Sequence, residues 1–233
     1  MTADRDNDET GYLRSYGRRR GKKLRPGRER LMEEMLPRIS IRPGTPIADH
    51  FAADIQALWL EIGFGGGEHL AAQAKAHPHV GLVGCEPFLN GVAKLLRLLD
   101  TNGSQNVRVH ADDARDIFPD VPEGALDRVF ILFPDPWPKA KHHKRRLIQT
   151  ALLDDMARML KDGGEFRFAS DHRGYVRWVL SFAVKHPDFE WLAEGPSDWR
   201  DPPEDWIETR YQQKGLAGDT IVHLRFRRKP RPY

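Results

Sequence analysis

The sequence predicts a doubly wound α/β domain on a seven-stranded, mostly parallel sheet with one antiparallel strand. Three observations carry that prediction. Apolar runs of strand length recur from residue 57 and alternate with stretches of helical periodicity. One of them, Val129 to Phe133, is continuously apolar, as a strand covered on both faces must be. The runs end in glycines, acids or prolines, where an open α/β sheet presents its ligand-binding edge.

The elements follow in order. Residues 57–63 (ALWLEIG) read as the first strand, followed by a glycine turn and a helix over about 67–76. Residues 80–86 (VGLVGCE) form the second strand and 88–100 its amphipathic helix. NVRVH (106–110) is a short third strand and LDRVFILF (126–133) the fourth. Residues 146–160 are strongly periodic and are stopped by Asp162-Gly163-Gly164. A fifth strand at 164–170, a helix at 173–185 and strands at 189–193 and 220–227 complete the set. The last two strands lack a helix-length crossover with clear periodicity, so one of them is expected to be antiparallel. Ahead of this domain (57–233), residues 1–30 read as a basic, disordered arm and 31–56 as a lead-in with one short helix.

Composition narrows the function. Hydrophobic residues make up 39% of the 233, enough for a folded core. The net charge is only +3, but base is clustered. Residues 1–30 hold ten Lys or Arg against five acids, segment 139–146 holds five with two histidines and no acid, and 225–231 holds five in seven positions. Three clusters on a nearly balanced chain point to a polyanion partner. Cys85 is the single cysteine, so an internal disulfide and a cysteine-based metal site are excluded. No HExxH spacing occurs, and no metal is expected. The start has no apolar signal region and no run approaches a membrane span, so no membrane partner and a cytoplasmic location are expected.

Two stretches carry chemistry. EIGFGGG (61–67) lets a backbone approach a ligand closely, at Gly63 and Gly65 above all. It breaks the G-x-G-x-x-G dinucleotide fingerprint, because the third glycine position is Glu68 or Leu70, which disfavours a nicotinamide-dependent dehydrogenase. No P-loop lysine accompanies it, so a nucleoside triphosphate is disfavoured too. Acids stand at three successive strand ends: Glu61, Glu86 and Asp113 with its neighbour Asp112. They suit a nucleoside without phosphates: Glu86 for the ribose hydroxyls, Asp113 or Asp112 for an adenine amino group, Glu61 near a cationic tail. The second stretch, residues 126–146, runs from a buried strand into Pro134-Asp135-Pro136-Trp137 and then into the basic block. Asp135 can accept from the N–H groups of a planar base, and Trp137 can offer a stacking face. An enzyme acting on an RNA nitrogen and an RNA-binding module without catalysis both remain open on these residues; the intact acids favour the enzyme.

Together, EIGFGGG, GCEP (84–87), DDA (112–114), FPDPWPKAKHHKRR (133–146), ASDH (169–172) and TRYQQKG (209–215) resemble the tRNA (guanine-N7-)-methyltransferases. The resemblance runs from about residue 57 to the C-terminus, and the 134–146 and 209–215 blocks are its specific parts. It implies a Rossmann-like class I fold, S-adenosyl-L-methionine as methyl donor, and N7 of a tRNA variable-loop guanine (position 46) as acceptor. It further implies that Glu61, Glu86, Asp113 and Asp135 bind the cofactor and that Asp135 is catalytic. Lys139, Asp171, Thr209, Arg210, Tyr211 and Gln212 would bind substrate, while Lys141, His142, His143, Lys144, Arg145 and Arg146 would contact RNA. One departure stands out: the family usually carries Glu where this chain has Gln212.

Overall fold

The computed structural model describes residues 19–213, 215, 218 and 220–232. Most of the expected N-terminal arm, residues 1–18, lies outside them. The sheet has seven strands: β1 (Ala57–Ile62), β2 (Val80–Cys85), β3 (Val107–His110), β4 (Leu126–Leu132), β5 (Leu160–Ser170), β6 (Phe189–Trp191) and β7 (Val222–Arg228). Their spatial order is β3-β2-β1-β4-β5-β7-β6. β1 to β5 pair in parallel. β7 runs antiparallel to both its neighbours, so the antiparallel strand expected from the missing crossover is this one.

Helices cover both faces, as the continuously apolar strands require. Counting from the N-terminus, α1 is Pro26–Glu34, α2 Leu36–Ile39, α3 Glu68–Ala76, α4 Leu89–Asn102, α5 Thr150–Met159 and α6 Arg173–Ala183; the short α7 (Ser197–Arg200) and α8 (Arg210–Gln213) precede β7. One core layer joins Ile131, Phe166 and Phe226 to Leu153 and Met156 of α5 and Tyr175 of α6. The other joins Leu82, Val109 and Phe130 to Leu70 of α3 and Leu95 and Leu96 of α4. α1 starts at Pro26, inside the stretch expected to be arm, and buries Leu31 in that second layer.

The main local departure from the sequence reading lies at 146–149. Periodicity there predicts helix, yet α5 begins only at Thr150 and residues 140–145 form a tight 3-10 turn. Side chains from α6 satisfy the intervening backbone instead. Ile148 N donates to the Tyr175 hydroxyl at 3.2 Å, and Trp178 Nε1 donates to Ile148 O at 2.7 Å. With those partners supplied, the segment stays extended although its apolar spacing suits a helix.

The chain winds outward from β1 through β2 to β3, then returns to β4 on the other side of β1. Loops leaving β1 and β4 therefore diverge, which opens a crevice beyond their carboxyl ends.

Candidate active site at the carboxyl ends of the sheet

The glycine turn follows β1 directly. Gly63, Gly65 and Gly67 have φ of 74°, 56° and 78°, in the left-handed region that favours glycine. A Cβ placed on Gly63 or Gly65 would meet nothing within 4 Å, so the turn faces open space. Behind it, a Cβ on Gly91 of α4 would lie 2.1 Å from Gly65 O; only glycine lets the helix close on the turn. Glu86, 8% exposed, fixes the turn further. Its Oε2 accepts from Gly65 N at 2.7 Å and its Oε1 from Phe88 N at 2.8 Å. Each oxygen keeps accepting capacity beyond that one bond. Burial raises the Glu86 pKa, the two N–H groups oppose the rise, and the negative charges of Asp135 and Glu61 add to it.

Glu61 is 3% exposed, and its Oε2 lies 2.7 Å from His69 Nδ1. His69 Nε2 lies 3.2 Å from Gln73 Nε2. With its proton on Nδ1, His69 satisfies both contacts, donating from Nδ1 to Glu61 and accepting at Nε2 from Gln73. Asp113 caps the 3-10 turn Ala114–Asp120, accepting from Arg115 N at 3.1 Å and from the Arg115 guanidinium. Asp112 is gripped by both terminal nitrogens of Arg19, at 2.9 and 2.6 Å. The chain just after Arg19 also ties to Asn90 at the start of α4.

Across the crevice stands the loop after β4. Phe133 and Trp137 have φ of 49° and 42°, an uncommon conformation for bulky residues. Two such residues bracket Pro134-Asp135-Pro136, and strain of this kind persists only where surrounding contacts over-determine the backbone. Asp135 is exposed. Its negative charge acts on both Glu86 and Tyr175, raising the pKa of each, although for Tyr175, pushed up to about 12, burial is the larger cause. Phe133 N donates to Ala169 O at 2.8 Å, which pins the loop to the end of β5.

The basic block follows at once. Lys139, Lys141 and Lys144 are exposed. His142 meets the Trp137 ring edge-on at 5.9 Å, and the Arg145 guanidinium lies 5.0 Å from the same ring. One face of the indole that the sequence offers for stacking thus has a cation beside it. His143 packs on Trp178 at 5.5 Å. The His142 pKa is lowered by desolvation and by Arg145, Lys141 and Lys139. Arg146 departs from the expected RNA contact: it is 3% exposed, and its Nε donates to Pro136 O at 2.9 Å. A guanidinium turned inward onto a carbonyl cannot meet a phosphate in this arrangement.

The third wall comes from the C-terminal third. Tyr211 donates its hydroxyl to Asp171 Oδ2 at 3.2 Å, and Gly218 N donates to the same oxygen at 2.8 Å. The Tyr211 ring lies 5.2 Å from Phe133, so Asp171, Tyr211 and the β4 loop meet. Arg210 opens α8, and its side chain lies outside the described set. Thr209 and Gln212 bond to each other. Gln212 Oε1 accepts from Thr209 N at 3.0 Å and Thr209 Oγ1 at 3.3 Å, and Gln212 N donates to Thr209 Oγ1 at 3.4 Å. This is a capping box, in which Glu and Gln serve alike.

The sequence reading missed the ionic network behind this wall. Asp205 accepts from Arg128 at 2.9 Å and Arg167 at 2.7 Å, while Glu165 accepts from Arg167 and Arg225, each at 2.6 Å. It fastens the 201–206 loop to the sheet. Arginines inside the central strands β4 and β5 were the available signal, since charge there needs a partner. The third basic cluster also reads differently in space. Arg225 pairs with Glu165, Arg227 with Glu190, Arg228 with Asp162 and Asp188, and Arg231 with Glu123 and Asp162. Four of its five cations are thus answered by acids of the fold, while Lys229 is exposed and donates to Pro187 O at 2.8 Å.

Among the described residues no group of His, Cys, Asp or Glu is arranged to hold a metal ion, and no helix is long and apolar enough to cross a membrane. The residues fit S-adenosyl-L-methionine: open space stands over the glycine turn, Glu86 holds accepting capacity at the end of β2, and the cations near β3, Arg19 and Arg115, are already paired with Asp112 and Asp113.

A switch-point crevice with this turn and these acids defines a class I methyltransferase. Solved structures share the fold: the antibiotic-resistance methyltransferase Kmr superimposes with a TM-score of 0.54 at 17% identity, covering 77% of this chain and 90% of that one. An rRNA methylase from Streptococcus thermophilus gives 0.52 at 13% identity, covering 76% and 89%. A family model described as "Putative methyltransferase" matches residues 55–223. The tRNA (guanine-N(7)-)-methyltransferase of Rhodospirillum rubrum is 52% identical over 231 residues, covering 95% of this chain and 90% of the relative. That of Zymomonas mobilis is 45% identical over 230 residues, covering 98% and 100%. The chain belongs to the tRNA (guanine-N(7)-)-methyltransferase family.

Proposed function

We propose that this chain methylates N7 of a guanine in the variable loop of tRNA, at position 46, with S-adenosyl-L-methionine as donor. The observation that carries the reading is the placement of Asp135, on a strained loop across the β1/β4 crevice from the glycine turn, with its charge felt at Glu86. When bound, S-adenosyl-L-methionine supplies an electrophilic methyl group to the N7 electron pair.

The residues of the chain then have a limited task. Guanine N7 carries an in-plane lone pair and no proton at neutral pH, so no general base is needed. Positioning and electrostatics remain. Methylation leaves positive charge on the purine, and the Asp135 carboxylate stands ready to stabilise it. Glu86, through its remaining acceptor capacity, holds the ribose hydroxyls while keeping the glycine turn in shape. Asp113 and Glu61 complete the cofactor rim. Asp171 and Tyr211 form the substrate wall opposite. Lys139, Lys141 and Lys144, with Arg145 beside Trp137, present charge to the RNA backbone.

The test is incubation of the protein with labelled S-adenosyl-L-methionine and unmodified tRNA, followed by nucleoside analysis. N7-methylguanosine from the variable loop is the expected product; label on another nitrogen or another loop refutes the assignment. Asp135→Asn is expected to lower kcat by about 100-fold, comparable to losing a preorganised electrostatic group. Near-normal turnover by that variant would remove Asp135 from the mechanism.

A further inference from the structure

We infer that Arg146 is a positioning residue that holds the Asp135 loop in its strained shape, and is not one of the phosphate-binding cations of the basic block. The inference rests on the proposed role of Asp135. Arg146 is the last of six residues, Lys141 to Arg146, that sequence alone assigns to RNA. Its surroundings set it apart from the others. It is 3% exposed, whereas Lys141 and Lys144 stand in solvent. Nε donates to Pro136 O at 2.9 Å, and Nη1 reaches toward Gly174 O at 3.5 Å. The guanidinium lies 5.2 Å from the Tyr175 ring and 5.0 Å from the Trp178 ring. No carboxylate pairs with it among the described residues, and burial lowers its pKa.

Burying a cation without a counter-charge is costly, so its hydrogen bonds need a purpose. The loop supplies one. Phe133 and Trp137 both sit at positive φ, and Pro134 and Pro136 have no N–H with which to tie themselves down. On the entry side, the loop is held by Phe133 N on Ala169 O. On the exit side, the Pro136 carbonyl is the handle, and Arg146 holds it. The same side chain reaches Gly174, three residues beyond Asp171. One guanidinium therefore spans two walls of the crevice, the loop that carries Asp135 and the start of α6. A lysine keeps the charge but lacks the planar fork that can bond in one direction while lying against two rings.

The experiment compares Arg146→Lys and Arg146→Gln with Lys144→Gln, measuring kcat, KM for tRNA and the salt dependence of tRNA binding. Misplacing a reacting group by an ångström costs about 100-fold. Both Arg146 variants are accordingly expected to lose kcat, by about 100-fold for Gln and about tenfold or more for Lys. Their KM for tRNA and log–log salt slope should stay those of the unaltered protein. Lys144→Gln, at a residue proposed to meet the RNA backbone, should instead raise KM for tRNA and flatten the slope by about one unit. Arg146→Lys decides the matter even if Arg146→Gln fails to fold, because it keeps the cation. Full kcat in the Lys variant, or a flattened slope in either, overturns the inference. Asp135→Asn runs alongside: if that variant stays active the proposed centre is wrong, whereas its loss of activity with a fully active Arg146→Lys rejects the positioning role alone.

Discussion

Glu86→Gln is the sharpest perturbation of the cofactor side, because the structure fixes both carboxylate oxygens. One accepts from Gly65 N at 2.7 Å and the other from Phe88 N at 2.8 Å. An amide of the same shape keeps one carbonyl and turns an NH2 toward the second N–H. A hydrogen bond to a charged group contributes about 1.5–3 kcal/mol, and the donor-to-donor contact adds to its loss. Relief of the carboxylate's desolvation offsets part of this. About 2–3 kcal/mol of cofactor affinity should go, roughly 30- to 150-fold in Kd. The pH dependence has a definite sign. Burial holds the folded pKa above the ordinary 4.5. Folding therefore takes up a proton between the two values, and this group's contribution to stability is complete below 4.5 and is lost as pH rises through the folded pKa. Cofactor affinity moves oppositely, since accepting hydroxyl donors favours the ionised form. Calorimetry with S-adenosylhomocysteine should show affinity rising with pH across that window and then levelling, and the Gln variant should be weaker and flat. A Gln variant within about threefold of the unaltered Kd, or an unaltered protein without pH dependence there, refutes the reasoning.

Three further outcomes are expected. Neutralising Lys141 and Lys144 together should flatten the log–log salt slope of tRNA binding by about two units with kcat retained; an unchanged slope would make them a solvated face. Gln212→Glu should preserve activity, because either residue closes the capping box on Thr209. Gln212→Ala and Thr209→Ala should each cost about 1 kcal/mol of stability and prove non-additive in a double-mutant cycle; additive losses would mean that the two side chains do not cap each other. His223 is buried beside Trp206, and desolvation takes its pKa from 6.5 to about 4. Its folded pKa is depressed, so the unfolded chain binds the extra proton and stability falls as pH drops from 6.5 toward about 4. His50 shifts in the same direction. Thermal unfolding of His223→Gln should show a shallower acid slope in that window, and an identical slope would exclude His223 as a cause.

The sheet was legible because its signal is redundant. Each parallel strand is an apolar run bounded by breakers, and each crossover helix has its own period, so errors of a few residues at an end do not change the topology. The antiparallel strand was legible too, because the stretch before the last strand lacks the clear period of a covering helix. The helix expected at 146–149 failed for a reason that no local pattern contains. Its backbone partners are the Tyr175 hydroxyl and the Trp178 indole, side chains some 30 residues later in the chain. Local periodicity reports which face is apolar; it does not report who takes the hydrogen bonds.

The site divides along the same line. Acids at strand ends could be read directly, because strand ends lie on one edge of the sheet whatever the loops do. Basic residues could not, because a guanidinium reads the same in sequence whether it faces a phosphate, a carboxylate or a carbonyl. The arginines of the C-terminal cluster answer acids scattered over 69 to 108 residues of chain in the case of Arg231 alone. Lys141 and Lys144, one and four residues from the start of the tight turn, stay in solvent. Arg146, just past the end of that turn, points inward. Gln212 makes the same point for an uncharged residue. As a departure from the family's Glu it looks like altered base recognition, yet its acceptor is spent on the N–H that begins its own helix. What a capping box requires at that position is an acceptor of the right length, and an amide supplies it as well as a carboxylate does. Gln212 is thus engaged at the start of its own helix, while Asp171, Tyr211 and Phe133 at the head of the Asp135 loop are the groups that meet at the crevice.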